Sequence, residues 1–340
     1  MGTEASPDLR TIYAPVEEDM LRLAAFLEAE FGGIEPFLMS ILEHVSRFRG
    51  KQIRPAILFL TRRLALLSGA RAAAARPRVD DHVKIGAVVE LIHTATLVHD
   101  DILDDAELRR GVETVHRRWG ERAAILIGDY IYSRAFRLST EVQGMARAFS
   151  DTTNTICEGE LLQIGSRFRP DIGEERYLEI IRKKTGILYA AAARLGGVLG
   201  GADPELAGKL HDFGMELGTA FQIVDDCLDY DGEEGLTGKS LGTDLRQGKV
   251  TLPLIYLREA LPEGEREWLD GALRGPIAGE PETRVQRLVA EHGVLGEAFA
   301  RAQGFVESAK AILAEVLGGN GGPVGESLDL VADYVLRRRR

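Results

Sequence analysis

Cysteine is scarce in this 340-residue chain: Cys157 and Cys227 are the only two, and no CxxC pair occurs. A disulfide framework and a thiolate zinc site are thereby excluded, and a reducing cytoplasm fits. Long apolar runs are missing as well. The most apolar stretch, residues 187–202, has 16 residues and is interrupted by Arg194, short of the roughly 20 that a membrane-spanning helix requires. Nor does a basic segment lead into an apolar one at the N-terminus. Glu4, Asp8, Glu17, Glu18 and Asp19 make that region acidic, the reverse of a secretory signal. These absences predict a cytoplasmic protein without an integral membrane segment. Basic charge is also in deficit: 42 Lys and Arg face 53 Asp and Glu, a net charge of −11. A general nucleic-acid binder, which needs a basic field over much of its surface, is excluded.

Proline is absent between Pro77 and Pro170 and again between Pro204 and Pro253, so long uninterrupted helices are allowed there. Apolar residues in the first window recur at helical intervals: Val83, Ala87, Leu91, Ala95 and Val98, then Ile125, Ile127, Ile131 and Ala135. Alternating strand patterns are scarce. The reading is all-α, with roughly a dozen helices. Breaks are expected at Gly32-Gly33 and at residues 71–77, 168–173, 196–204, 232–242 and 318–323, too irregular for a solenoid repeat. None resembles an interdomain linker, so one helical domain over residues 1–340 is expected, with about residues 1–15 flexible. The 38 glycines exceed the average share of about 7%; many are expected to cap helices or let them approach closely.

What is present in quantity is aspartate, in two clusters. Residues 97–105 read LVHDDILDD, and residues 223–230 read IVDDCLDY, repeating the DDxxD spacing 125 residues later. On a helix Asp100 and Asp104 share one face and Asp101 turns about 100° away. Carboxylates ~6 Å apart at an effective dielectric of ~20 repel by roughly 3 kcal/mol, so something must compensate. Magnesium does so: it takes oxygen ligands and is usually held by one or two carboxylates together with substrate phosphates. No EF-hand spacing surrounds either cluster. Two acidic clusters in apolar flanks thus imply a metal-bridged polyphosphate, and the sequence also places cations beside them. Arg47, Arg49, Lys51 and Arg54 form one group, Arg109 and Arg110 follow the first cluster, and Lys183, Lys184, Lys239 and Lys249 bracket the second.

With these motifs the chain resembles the trans-polyprenyl diphosphate synthases, the all-α chain-elongating prenyltransferases. The matching stretches are GKQIRP (50–55), ELIHTATLVHDDILDDAELRRG (90–111), GDYIYSRAF (128–136), EGELLQI (158–164), KTG (184–186), FQIVDDCLDY (221–230) and GKSLGTDLRQGKVTLPLI (238–255). The resemblance implies a large helical bundle of the isoprenoid synthase type with a central cavity. It implies two or three magnesium ions held by Asp100, Asp101 and Asp104 and by Asp225, Asp226 and Asp229. An allylic diphosphate would bind Arg109, Lys184, Lys239 and Lys249. Isopentenyl diphosphate would bind Lys51, Arg54, His93 and Arg110, with Thr185 and Gln222 lining the reacting centre. A homodimer packed through helices near Ile125 to Phe136 is implied by the same analogy, and peripheral membrane contact for product release fits it.

The implied chemistry needs no side-chain nucleophile, which suits the lack of any Ser-His-Asp or Cys-His constellation. It needs a lid against water, for which residues 232–248 and the terminal Arg337 to Arg340 are candidates. Small residues one turn before Asp100, Ala95 and Thr96, leave a product tunnel open in this resemblance, and Phe149 is a candidate floor. A long-chain product of about six to ten isoprene units is expected. A short-chain farnesyl or geranylgeranyl synthase is the alternative. A terpene cyclase shares the aspartates but does not need Lys51, Arg54 and His93. A non-catalytic regulatory subunit would have lost an aspartate motif, and a calcium- or membrane-binding helical module fits less well than either.

Overall fold

The structure, a computed structural model, describes residues 9–68, 80–231, 242–318 and 321–337. Short α1 (Leu9–Tyr13) runs through a 3-10 turn into α2 (Glu17–Glu30), followed by α3 (Pro36–Ser46), α4 (Ile53–Leu67) and α5 (Asp81–Leu103). A two-residue-per-strand hairpin, β1 (Leu108–Arg109) and β2 (Val112–Glu113), separates α5 from α6 (Val115–Trp119), α7 (Glu121–Thr140) and α8 (Met145–Ser166). Then come α9 (Glu174–Ile181), a π turn (Arg182–Gly186), α10 (Ile187–Leu199) and α11 (Pro204–Asp231). The remainder is α12 (Thr243–Arg246), α13 (Leu252–Ala260), α14 (Glu263–Ala272), α15 (Glu280–Glu291), α16 (Val294–Leu317) and α17 (Gly322–Arg337). The fold is all-α, as the periodicity indicates. The helices outnumber the expected dozen because α1, α6 and α12 are too short to show a periodic pattern.

Local chemistry explains where helices begin. Glu35 caps α3 by accepting from the Leu38 amide, with Pro36 in the first turn. Asp203 does the same for α11 ahead of Pro204, accepting from Leu206. The apolar stripe Val83, Ala87, Leu91, Ala95 and Val98 is buried throughout and packs α5 against α7, α4, α2 and α10. In α7 the expected stripe needs a correction. Ile127, Ile131 and Ala135 are buried, but Ile125 is exposed, because a spacing of two residues puts it about 200° from Ile127.

Two further expectations shift. Of the N-terminal residues expected to be flexible, 9–15 are helical instead, and Ile12 and Val16 are buried in the core. The expected break at 196–204 begins only at Gly200, because α10 continues through Gly196 and Gly197. Those glycines serve close packing: a Cβ at Gly196 would strike the Leu58 carbonyl of α4, and one at Gly218 would lie 2.8 Å from the Cα of Gly186. Tight α4–α10 and α10–α11 contacts account for part of the glycine excess. One apolar cluster runs from Ile12 to Val335. Among the described residues no helix is long and apolar enough to cross a membrane.

Candidate active site

Asp100 stands in the last turn of α5 and Asp104, four residues on, caps the end of that helix. The Asp104 carboxylate receives Lys249 at 3.0 Å and Arg167 at 3.2 Å, while Gln247 donates to its backbone carbonyl at 2.7 Å. Burial pushes Asp104 upward, but Lys249, Lys184 and Arg167 outweigh it and hold the carboxyl below its ordinary range. Asp100 lies 4.0 Å from Lys184, whose ammonium also pairs with Glu160 at 2.5 Å and donates to Gln163 at 2.9 Å. Burial lowers Lys184, and Asp100, Glu160 and Asp104 more than reverse that, so it stays cationic. Glu160 is pushed up by burial and then by Asp100, and Lys184 offsets only part of this.

Asp101 points elsewhere. It is 1% exposed and accepts from Arg109 at 2.6 and 2.8 Å, so it fixes Arg109 in the wall instead of joining the Asp100–Asp104 face. The hairpin behind this contact pairs Leu108 with Glu113 and Arg109 with Val112. Its two turn residues, Arg110 and Gly111, both have positive φ, the pattern of a tight hairpin turn.

On α11 the second cluster divides in the same way. Asp225 and Asp229 share a face, four residues apart. Asp229 accepts from the amides of Thr243 at 3.3 Å and Asp244 at 3.0 Å, anchoring the start of α12. Asp226 is buried and accepts from Tyr177 at 2.6 Å and Gln222 at 2.7 Å. Burial and then Asp244 push it up to about 8. Gln222 in turn accepts from Thr185 at 2.8 Å, so its amide is fixed at both ends. Lys249 closes the ring, 3.6 Å from Asp244 and 3.0 Å from Asp104. It thereby links the first motif to the segment held by the second.

Lys184 and Thr185 reach this centre from the π turn, a one-residue expansion that displaces side chains and is frequent at functional sites. Gly159 of α8 makes room for it: a Cβ there would fall 2.5 Å from the Lys184 amide nitrogen.

A second cationic pocket lies at the start of α4. The Arg54 guanidinium sits 4.3 Å from the Tyr189 ring centre, and Lys51 sits 4.9 Å from that of Tyr334. Arg110 donates to the Phe48 carbonyl at 2.5 Å, and Gly50 leaves room for its guanidinium. Arg54 Nε is buried without a hydrogen-bond partner in the protein, a donor suited to an anion. Burial, and then Arg54, Arg109 and Arg110, hold His93 well below its ordinary range.

The remaining expected residues lie as follows. Ala95 is fully buried, Thr96 is half-buried with its hydroxyl donating to the His93 carbonyl at 2.8 Å, and Phe149 is buried in the second turn of α8. Lys239, residues 232–241 of the candidate lid and Arg338 to Arg340 lie outside the described residues. Arg337 ends α17. Among the described residues no three His, Cys, Asp or Glu side chains converge into a self-sufficient metal site. All-carboxylate donors in two half-sites fit a hard divalent cation completed by phosphate oxygens.

A model of the polyprenyl synthetase family matches residues 35–291. The chain belongs to that family. It is 42% identical over 217 residues to the octaprenyl diphosphate synthase of Escherichia coli, a match covering 63% of this chain and 64% of that protein. The chain thus spans just under two thirds of that relative's length. It is 39% identical over 314 residues to the short chain isoprenyl diphosphate synthase of Methanothermobacter thermautotrophicus, over 88% of this chain and 90% of that one. Among solved structures it is similar to a polyprenyl synthase from Caulobacter crescentus complexed with calcium and isoprenyl diphosphate. The TM-score is 0.89 at 32% identity, covering 99% of this chain and 100% of that chain.

Several site residues carry no assignment from the sequence. Glu160 and Gln163, three apart on α8, both reach Lys184, and Arg167, extended just past the end of α8, reaches Asp104. The Glu160–Gln163 spacing was available in EGELLQI. Tyr177 and Asp244, by contrast, lie 49 residues before and 18 residues after Asp226, and only the fold brings them to it.

Proposed function

We propose that this polyprenyl synthetase condenses isopentenyl diphosphate with an allylic prenyl diphosphate, yielding an all-trans polyprenyl diphosphate of about six to ten isoprene units. The reading is supported by the carboxylate-and-lysine centre together with a second group of cations, Lys51, Arg54 and Arg110, near the start of α4, to which His93 is assigned by the resemblance. Two places for diphosphate suit a two-substrate condensation, whereas a cyclase needs one.

Magnesium, held by Asp100 and Asp104 on one side and Asp225 and Asp229 on the other, would stabilise negative charge on the leaving diphosphate. Lys184, Lys249 and Arg109 would add fixed positive charge to that leaving group. The carbon–oxygen bond of the allylic substrate breaks, giving an allylic cation. The double bond of isopentenyl diphosphate attacks it, and a proton leaves to the released diphosphate, regenerating an allylic diphosphate one unit longer. Thr185 and Gln222 border this step with neutral oxygens. Their mutual hydrogen bond and the Gln222–Asp226 bond fix them, so neither is a loose nucleophile that could trap the cation.

Long products are supported by the small side chains at Ala95 and Thr96. Thr96, one turn before Asp100 and half-buried, is the better gate of the two. Ala95 is so enclosed that a large side chain there overpacks the core at a cost of about 1–3 kcal/mol. Incubation with farnesyl and isopentenyl diphosphates, followed by mass spectrometry, tests both claims. Products of six or more units that disappear when isopentenyl diphosphate is omitted are expected, and Thr96→Phe should shorten them. Consumption of the allylic diphosphate alone would establish a cyclase, and products of only three or four units a short-chain enzyme.

A homodimer belongs to the same proposal. Ile125, Leu126 and Phe136 occupy one exposed face of α7, with Leu126 67% and Phe136 56% exposed. A single domain and transient membrane contact when so apolar a product leaves complete the reading; the unbroken core from Ile12 to Val335 supports the former.

A further inference from the structure

Among the described residues, four that are not glycine have a positive φ: Gln52, Asp105, Arg110 and Phe168. Three are polar. Phe168, at 60°, is the aromatic one, and a bulky side chain in that region is a conformational outlier. Such residues persist where their surroundings over-determine them, and they gather at functional sites. Phe168 lies just past the end of α8, next to Arg167.

What holds Phe168 comes from far along the chain. Its amide donates to the Gly248 carbonyl at 2.8 Å. Gly248 has a φ of 68°, and a Cβ there would overlap the Phe168 ring. Glycine is thus required twice at this position, for its own backbone and for the space that the ring fills.

The neighbours of this pair all turn to one residue. Arg167, before Phe168, donates to Asp104 Oδ1 at 3.2 Å. Gln247 and Lys249, on either side of Gly248, donate to the Asp104 carbonyl at 2.7 Å and to its Oδ2 at 3.0 Å. Two segments that meet at Phe168 and Gly248 therefore place three donors on the last aspartate of the first DDxxD spacing. The start of the second segment is held separately, by Asp229 through the amides of Thr243 and Asp244. A small cavity lies between the segments, lined by Ser166 and Ile172 from one and by Lys249, Val250 and Thr251 from the other. With a gap beside it, Lys249 depends on contacts such as the Phe168–Gly248 pair for its position.

We propose that Phe168 is a positioning residue, a clasp on Gly248 that sets Lys249 against Asp104 and within reach of the leaving diphosphate. This rests on the reading of Lys249 as a ligand of the allylic diphosphate. The ring touches no substrate and acts through Lys249, so its loss weakens the step that Lys249 serves and spares the binding of isopentenyl diphosphate.

The test is steady-state kinetics with thermal melts on Phe168→Gly, Phe168→Tyr, Lys249→Ala and the Phe168→Gly/Lys249→Ala double variant. Glycine suits the positive φ, so Phe168→Gly removes the ring without adding backbone strain. It should lower kcat roughly tenfold, the scale of a small misplacement of a charged group, with KM for isopentenyl diphosphate within about twofold. Phe168→Tyr should keep most of the activity. In the Lys249→Ala background Phe168→Gly should change kcat by less than about twofold, because an effect transmitted through one residue does not add to that residue's removal. Should Phe168→Gly fail to fold, Gly248→Ala, whose Cβ meets the ring, should show the same pattern in both backgrounds. An equal loss of kcat with and without Lys249, a lowered melting temperature with unchanged kcat, or a selective rise in KM for isopentenyl diphosphate would each overturn the proposal. A Lys249→Ala enzyme with unchanged kcat would instead overturn the reading of Lys249 on which the clasp stands.

Discussion

Lys249 touches carboxylates from both halves of the site, Asp104 and Asp244, and Lys184 lies between Asp100 and Glu160 within the first half. Without a diphosphate these ammonium groups offset the repulsion that the aspartate spacing creates. Lys249→Ala is therefore expected to act twice. Without ligand the variant should melt at lower temperature, because Asp104 loses its strongest positive neighbour and keeps only Lys184 and Arg167 nearby. Its kcat should fall by roughly 100-fold, the loss typical of removing one donor to developing negative charge. Unchanged kcat in initial-rate assays would show that Lys249 is only a structural ion partner. At this scale the sequence was informative about Asp100, Asp104, Asp225 and Asp229, whose spacing fixes a shared face. The same spacing turns the middle aspartates, Asp101 and Asp226, off that face, although the resemblance counts them with the metal ligands. What they meet there, Arg109 for Asp101 and Tyr177 beside the helical neighbour Gln222 for Asp226, takes the fold to show.

Among the elements, α2, α4 and α5 meet in a buried ion group far along the chain from the aspartates of α5. Asp19 accepts from His82 at 2.9 Å and from Arg63 at 3.2 Å. Burial raises Asp19, but His82 and Arg63 outweigh it and hold the carboxyl below its ordinary range. A carboxyl depressed on folding stabilises the protein above its unfolded-state pKa and loses that contribution as pH falls through the folded one. Asp19→Asn should thus be destabilised at pH 7 and approach the parent protein's stability towards pH 3. About 2 kcal/mol is expected, below the 3–5 kcal/mol of a fully buried pair because the Arg63 side chain is 38% exposed. Urea unfolding across that pH range checks it; a difference independent of pH would remove Asp19 ionisation as the cause. Helix periodicity revealed α5 and its core stripe, and the two-residue spacing of Ile125 from Ile127 already sets those two on different faces, but this cross-helix group is not visible in a one-dimensional pattern.

For the whole molecule, the clearest surface feature is the apolar face of α7. A protein that leaves Leu126 and Phe136 in water has a surface suited to a partner, and a second copy offers the same face by two-fold symmetry. Sedimentation should give twice the chain mass of 37.2 kDa, and Leu126→Glu should shift it towards the monomer with helix content retained. A monomeric parent protein would end the dimer reading. The all-α architecture was legible in the sequence from proline-free windows and apolar spacing. The close helix crossings were not, because a glycine that admits a neighbouring backbone looks the same in sequence as one that ends a helix.

The π turn at Arg182–Gly186 also says something about length. One surplus residue sets α9 and α10 out of phase by about 100° relative to a continuous α-helix. Deleting a single residue there would let the two merge into one regular helix with a better hydrogen-bond ladder, and would rotate Lys184 and Thr185 away from Asp100 and Gln222. Insertions and deletions in this segment are therefore not neutral in the way that surface-loop changes are. The chain carries a residue that local helix stability would discard, and the contacts of Lys184 and Thr185 depend on it.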